Sequence, residues 1–182
     1  MSARDDIHIQ TRRVRLRPLD TSDAPALAQL GGDSDVARML ASVPSPWSVD
    51  HCEDWIEASQ YRGRLGFRLG VEEKGGHLIG SVGIGGTPVA NCAYFLGKDH
   101  WGQGLATEAT SALLGFVFDR FDTDVVEADH FDDNPASGRV LAKLGFEKVG
   151  QGTGTSAARL EPAANTHYRL NRQNFEAHHE IS

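Results

Sequence analysis

The chain has 182 residues, 40% of them hydrophobic and 24% charged, with a formal net charge of −7. A chain of this length and composition is globular and hides roughly 70% of its unfolded surface, so neither a disulfide nor a structural metal is needed to hold one core. The acidic balance, with a pI near 5.6, opposes nonspecific attraction to nucleic acid or anionic lipid: neither is expected as a partner, and an anionic ligand must be held locally.

Cys52 and Cys92 fit neither a CxxC redox pair nor a zinc knuckle, which predicts two reduced thiols in a cytoplasmic protein. The first eight residues lack the apolar stretch of a signal peptide, and no apolar run approaches the roughly 18 residues of a membrane span. The histidines include His178-His179 and His130 but no HExxH, and no metal site is expected. With no internal repeat and scattered prolines, residues 1–182 read as one domain, with a core over about 12–171 and a polar tail over 172–182.

Val14-Arg15-Leu16-Arg17 alternates apolar and polar residues and predicts a half-buried strand stopped by Pro18. Asp20 or Ser22 offers an N-cap for a helix carrying Ala24, Leu27, Ala28 and Leu30 and ended by Gly31-Gly32. A second helix is predicted over 33–41, a loop over 42–48, and a helix capped by Ser48 that carries Glu53, Trp55 and Ile56. Strands at 67–71 and 77–84 flank Glu72-Glu73-Lys74-Gly75-Gly76, whose glycines permit the positive φ of a hairpin turn. There follow a strand at 90–96, a helix over 105–121, a strand at 124–130, a helix over 135–144, and strands at 146–149 and 167–170. Ala106, Ala109, Leu113, Phe116, Val117 and Phe121 form the inward face of the long helix, opposite Glu108, Ser111 and Arg120. Gly150-Gln-Gly-Thr-Gly-Thr-Ser156 reads as a mobile loop bordering a cleft. The expected class is mixed α+β, with antiparallel meanders first and helical crossovers later.

Trp101-Gly-Gln-Gly-Leu-Ala-Thr-Glu-Ala109 lies between a predicted strand and helix. Glycines there let a ligand approach the main chain, and first-turn amides carry the positive end of the helix dipole. Such a turn can bind a pyrophosphate despite the net negative charge; it can also be an ordinary tight turn. Thr107 stands where a dinucleotide fingerprint wants a third glycine, several strands precede the motif, and no GxxxxGK[ST] occurs, which disfavours dinucleotide folds and P-loop NTPases. Farther on, Asn134 can cap a helix that Pro135 begins and Gly145 ends, with Val140, Leu141 and Leu144 inward. Two helices that each follow a strand would bring Gly104 and Asn134 to the same end of adjacent parallel strands, where ligands bind.

With these motifs the chain resembles the GNAT superfamily of N-acetyltransferases, and most of all its RimJ/RimL-like branch. Residues 101–109 match the acetyl-CoA pyrophosphate loop, and Asn134, Ser137 and Lys143-Leu144-Gly145-Phe146 match the second motif. Arg15-Leu16-Arg17-Pro18, Pro44-Ser-Pro-Trp47 with Trp55-Ile56, and Ile79-Gly80 with Gly83 agree in order over residues 14–150.

The resemblance implies a mixed, mostly antiparallel sheet flanked by helices, whose fourth and fifth strands splay apart to admit the pantetheine arm of acetyl-CoA. It implies cofactor contacts at Tyr94, Phe95, Leu96, Trp101, Gly102, Gln103, Gly104, Leu105, Ala106, Thr107, Asn134 and Ser137. Tyr94 and Phe95 are equally good packing residues. The Leu96 N–H would stabilise the oxyanion. Ser137 matches the branch's proton donor, although a serine in a first helical turn can also bond a backbone amide or the pantetheine. The tyrosine of many relatives is replaced by Leu141, and their strand carboxylate by Asn91-Cys92. Asp99, Glu72 and Glu53 are carboxylates that could act through water; none is assigned as base.

The implied reaction is direct attack of a primary amine, on a small molecule or a protein N-terminus, on acetyl-CoA, by a monomer or homodimer. A catalytically silent acyl-CoA-binding module is the alternative. The carboxylates of residues 33–57 are expected to line the acceptor cleft and favour cationic acceptors.

Overall fold

In a computed structural model, residues 7–180 are described. The first six residues, on which part of the leader reading rests, and the last two of the tail lie outside them.

Among the described residues, eight strands form one sheet in the order β1-β2-β3-β4-β5-β6-β8-β7. They are β1 (Ile9–Gln10), β2 (Val14–Pro18), β3 (Phe67–Glu73), β4 (Leu78–Gly85), β5 (Ala90–Leu96), β6 (Val125–Phe131), β7 (Glu147–Gly154) and β8 (Ala163–Asn171). The helices are α1 (Ala24–Gly32), α2 (Ser34–Ala37), α3 (Val49–Ala58), α4 (Leu105–Arg120), α5 (Pro135–Lys143) and α6 (Arg172–Glu180). Every strand pair is antiparallel except β5 with β6, because α4 carries the chain back between those two, as a parallel connection requires. The expected mixed α+β class is the one observed.

The two faces of the sheet bury separate clusters. Leu105, Ala109, Leu113, Leu114 and Val117 of α4 and Leu141 and Leu144 join Val14, Leu16, Leu69 and Val126 in the larger one. Leu27 and Ala28 of α1, Cys52 and Ile56 of α3, and Trp47 and Phe95 form the other. At roughly 1.5–3 kcal/mol for each large apolar side chain buried, these two layers dominate the driving force.

Local signals behave as polar groups at chain ends must. The Asp20 side chain accepts from the Ser22 amide, and Ser48 Oγ accepts from the His51 amide at 3.3 Å. Gly75 and Gly76 turn the β3–β4 hairpin at φ of 124° and 86°.

Three readings are corrected, and one strand, β1, was not expected. The helix expected over 33–41 stops at Ala37 and gives way to turns. β1 pairs Ile9 with Leu16 and Gln10 with Arg15, a two-residue ladder too short to show a period. The glycine-rich stretch 150–156 is mostly strand, since β7 runs to Gly154 and pairs Gly150 with His167 through Gly154 with Ala163. The polar segment after 171 is helical as α6: Phe175 is buried, its ring 5.2 Å from that of Phe118, and Arg172 donates to the Phe118, Phe121 and Thr123 carbonyls where α4 ends.

Candidate active site

The glycine turn at 101–104 leads into α4 with Gly102 at φ 72° and Gly104 at φ 77°, left-handed backbone that favours glycine. Gly102, Gln103 and Gly104 are exposed. Among the described residues, no hydrogen bond is donated by the amides of residues 102 to 107; the ladder of α4 begins with the Glu108 amide on Gly104 O at 3.1 Å. Six main-chain donors at the positive end of a sixteen-residue helix therefore form a cradle suited to a diphosphate. A methyl at Gly102 would meet nothing within 4 Å.

The turn is held from behind by residues the motif does not contain. Arg13 donates from Nη1 to Gln103 O at 2.7 Å and from Nε to Glu108 Oε2 at 2.6 Å. Glu108 also accepts from the Arg13 amide and from Thr11 Oγ1, each at 2.7 Å. Burial alone would raise the Glu108 pKa, but these donors outweigh it and hold the carboxyl below its usual range. Glu108, expected on the solvent face, thus ties the β1–β2 connection to the turn, and its charge is neutralised by Arg13 rather than directed at the cradle.

β5 and β6 pair only at Ala90 with Val126 and Asn91 with Glu127; beyond them the strands diverge. The divergence exposes a defined edge. The Gly97 amide donates to Ile79 O at 2.8 Å, and a methyl at Gly80 would collide with the Phe95 carbonyl oxygen. Phe95 and Gly97 thus direct their main-chain groups at β4. By the alternation of a strand, Leu96, Tyr94 and Cys92 direct theirs into the gap. Trp101 Nε1 donates to Leu96 O at 2.8 Å, which fixes the end of that edge to the glycine turn.

α5 begins where β6 ends. Asn134 Oδ1 accepts from the Ser137 amide at 3.4 Å, and Ser137 Oγ lies 2.7 Å from Tyr94 Oη across the gap. Desolvation by burial raises the Tyr94 pKa, with the Ser137 hydrogen bond opposing it, so the phenol stays protonated. Leu141, where relatives have tyrosine, is fully buried in the core. A second pair lies beside this one: His130 Nδ1 is 2.7 Å from Phe131 O, and its Nε2 is 3.1 Å from Tyr168 Oη. Gly138 allows the approach, since a methyl there would stand 2.8 Å from His130 Nε2.

The gap opens into a cavity of about 390 Å³ whose walls include Asn91 to Phe95 of β5, Glu127 to Asp129 of β6, His167 and Tyr168 of β8, the 40–43 loop, Trp55 and Arg68. From residues 33–57 it is lined by Leu40, Ala41, Ser42, Val43 and Trp55. The expected wall of acidic residues from that stretch is therefore replaced by β6 carboxylates, because α3 turns its apolar side to the sheet. Glu127 is paired with Arg169 at 2.7 Å, and Asp129 accepts from Asn165 Nδ2 at 2.9 Å. Of the three carboxylates considered as bases, Glu72 is bonded to Arg15 and Arg17 on the far side of β3; Glu53 and Asp99 are not part of the lining. Cys92 is buried, and burial pushes its thiol up to about 12, which suppresses a nucleophilic thiolate.

Comparison with known proteins agrees with this geometry. The family model described as "Acetyltransferase (GNAT) domain" matches residues 13–147. The chain is 37% identical over 159 residues to "Probable N-acetyltransferase YjcK" of Bacillus subtilis, covering 78% of this chain and 84% of that protein. It is 29% identical over 149 residues to "Uncharacterized N-acetyltransferase YoaA" of the same organism, covering 78% and 84%. Among solved structures, Mycobacterium smegmatis RimJ in complex with CoA-disulfide superposes with a TM-score of 0.77 at 20% identity, over 92% of this chain and 87% of that one. The chain therefore belongs to the GNAT acetyltransferase domain family and is an acetyl-CoA-dependent acetyltransferase.

Proposed function

We propose that the protein transfers the acetyl group of acetyl-CoA to a primary amine, on a small molecule or a peptide N-terminus, by direct attack within a ternary complex. The observation that carries this reading is the parting of β5 from β6 beside six unpartnered amides. The diphosphate would rest on the amides of residues 102 to 107, with Trp101, Gln103 and Asn134 framing the turn. The thiol arm would follow the Tyr94–Leu96 edge. The Leu96 N–H, directed into the gap, would meet the oxygen on which negative charge develops.

The thioester carbon would be attacked by a neutral amine held in the same cavity, so that proximity replaces a bimolecular encounter. Asp129 on β6 is the carboxylate we assign to receive the amine's proton, directly or through a water. The C–S bond then breaks as the amide forms. Ser137, hydrogen-bonded to the protonated Tyr94, would deliver a proton to the departing thiolate, and Tyr94 would replenish it. Protein acceptors are supported by a solved neighbour named as a ribosomal-protein-S5-alanine acetyltransferase from Vibrio fischeri, which has a TM-score of 0.74 at 16% identity.

The test is turnover: incubation with acetyl-CoA and a panel of amines and peptides, followed as free thiol release. Thiol release that requires an amine, with the acetylated product identified by mass, supports the proposal. Thermal stabilisation by CoA without transfer to any amine would instead leave a CoA-binding module.

A further inference from the structure

Arg68 extends along the cavity wall without an anionic partner. It sits on β3, pairs in register with Gly83 of β4, and Gly83 pairs with Ala93 of β5. The Asn91–Glu127 register, carried two residues on across the gap, sets Ala93 opposite Asp129, which pairs with His167 of β8. Residues in one such row share a face of the sheet. The row thus reads, across the molecule, Arg68, Gly83, Ala93, the gap, Asp129 and His167, and all but Gly83 line the cavity.

Gly83 decides which way the arginine goes. A methyl at this position would stand 2.5 Å from Arg68 Cγ; its absence lets the side chain lean over β4 toward β5. The guanidinium stacks on Trp55, its Cζ 4.5 Å from the ring centroid. Among the described residues, Arg68 makes no salt bridge, and no hydrogen bond is donated by its guanidinium. Burial lowers its pKa with no carboxylate to oppose the shift. The Trp55 indole N–H is likewise buried without an acceptor. Elsewhere in this protein partly buried arginines are matched: Arg17 with Asp23 and Glu72, Arg159 with Asp133. A half-buried guanidinium with five donors and no acceptor within the chain is suited to an anionic group carried by a ligand.

Resting on the acetyl-transfer reading above, we infer that the acceptor is an amine that also carries a carboxylate, an amino acid or a peptide with an acidic residue near its N-terminus. Arg68 receives the carboxylate, and the amine turns toward Asp129 and the gap. The row places cation and carboxylate on opposite sides of the reaction line, the arrangement a zwitterion requires. Asp129 without Arg68 would favour a plain cation; Arg68 without Asp129 would favour a plain anion.

The experiment compares kcat/KM for matched acceptors: free amino acids against their amides and decarboxylated amines, and dipeptides with aspartate at the second position against serine. A charge-assisted contact predicts that the wild type favours the carboxylate partner by about 10- to 100-fold, and that Arg68→Met brings this ratio to within about threefold. Arg68→Lys, which keeps the charge but loses the planar fork, is expected to hold an intermediate ratio, and it decides the matter if the methionine variant does not fold. The free amino acids and the aspartyl dipeptides identify which source of carboxylate is preferred. Equal kcat/KM for matched acceptors in the wild type, or a preference that survives in both variants, overturns the inference while transfer itself stands. If no amine is acetylated, the transfer reading fails. Calorimetric binding of N-acetyl amino acids, compared between wild type and Arg68→Met, then tests the carboxylate site alone: binding lost in the variant supports it, and binding retained overturns it.

Discussion

Tyr94 Oη and Ser137 Oγ lie 2.7 Å apart although 43 residues separate them. One side chain comes from the free edge of β5 and the other from the first turn of α5, so the pair bridges the gap between the strands. In the proposed reaction this pair is a two-member proton path, because Leu141 cannot donate. Ser137→Ala and Tyr94→Phe are each expected to lower kcat by about 10- to 100-fold, with the KM for acetyl-CoA changed little. Groups acting in one path are non-additive, so the double variant should be no slower than the slower single one. Multiplying losses in steady-state rates would mean that the two hydroxyls act separately.

The Cys92 thiol, pushed up to about 12 by burial, is almost entirely protonated at neutral pH. Initial-rate patterns with both substrates varied are expected to intersect, and Cys92→Ala is expected to keep most of the turnover. Parallel ping-pong lines, or an acetylated enzyme trapped and mapped to Cys92, would replace direct attack with a covalent route.

Gly104 occupies left-handed backbone at φ 77°, and a methyl there would approach Arg13 Nη2 at 3.4 Å, a flexible contact. Backbone strain therefore dominates the effect of Gly104→Ala, at about 1–2 kcal/mol. If the turn relieves that strain by rotating its amides, CoA affinity should fall about tenfold or more while Gln103→Ala costs less. Calorimetric titration with CoA distinguishes the two; equal, small losses would indicate that the cradle does not depend on the turn's geometry.

Glu72 is buried between Arg15 and Arg17, and the Arg17 hydrogen bond holds its carboxyl below the usual value. A carboxyl whose pKa is lowered on folding contributes stability above its unfolded pKa, near 4.3, and that contribution disappears as pH falls through the lower folded value. Denaturant melts of the wild type should therefore lose stability progressively below about pH 4.3. Glu72→Gln should be less stable at neutral pH, and the difference should narrow in acid. A pH-independent difference would show that the charge on Glu72 is irrelevant.

What the sequence disclosed was local. Ser48 and Asn134 declare helix starts because their side chains bond amides three residues away, and Gly102 and Gly104 mark a turn that only their backbone can make. What it concealed depends on distant partners. The second half of β7 reads as a loop because Gly150, Gly152 and Gly154 have no side chain to reveal a period; its ladder is supplied by β8. Phe175 of α6 is buried, and the helix is held by Arg172 on the end of α4. Glu108 passes for a solvated charge until Thr11 and Arg13 fold against it. Arg68 and Asp129 carry no motif at all; only the register across β3, β4 and β5 puts them on one cavity wall.

The proposed reaction requires the amides of residues 102 to 107 to receive the diphosphate. A titration of 15N-labelled protein with CoA, read against pantetheine, which lacks the diphosphate, tests this directly. The amide resonances of Gly102 through Thr107 are predicted to shift strongly with CoA and little with pantetheine, whereas those of Tyr94 to Leu96 respond to both. Unmoved resonances at 102–107 on saturation with CoA would contradict the account.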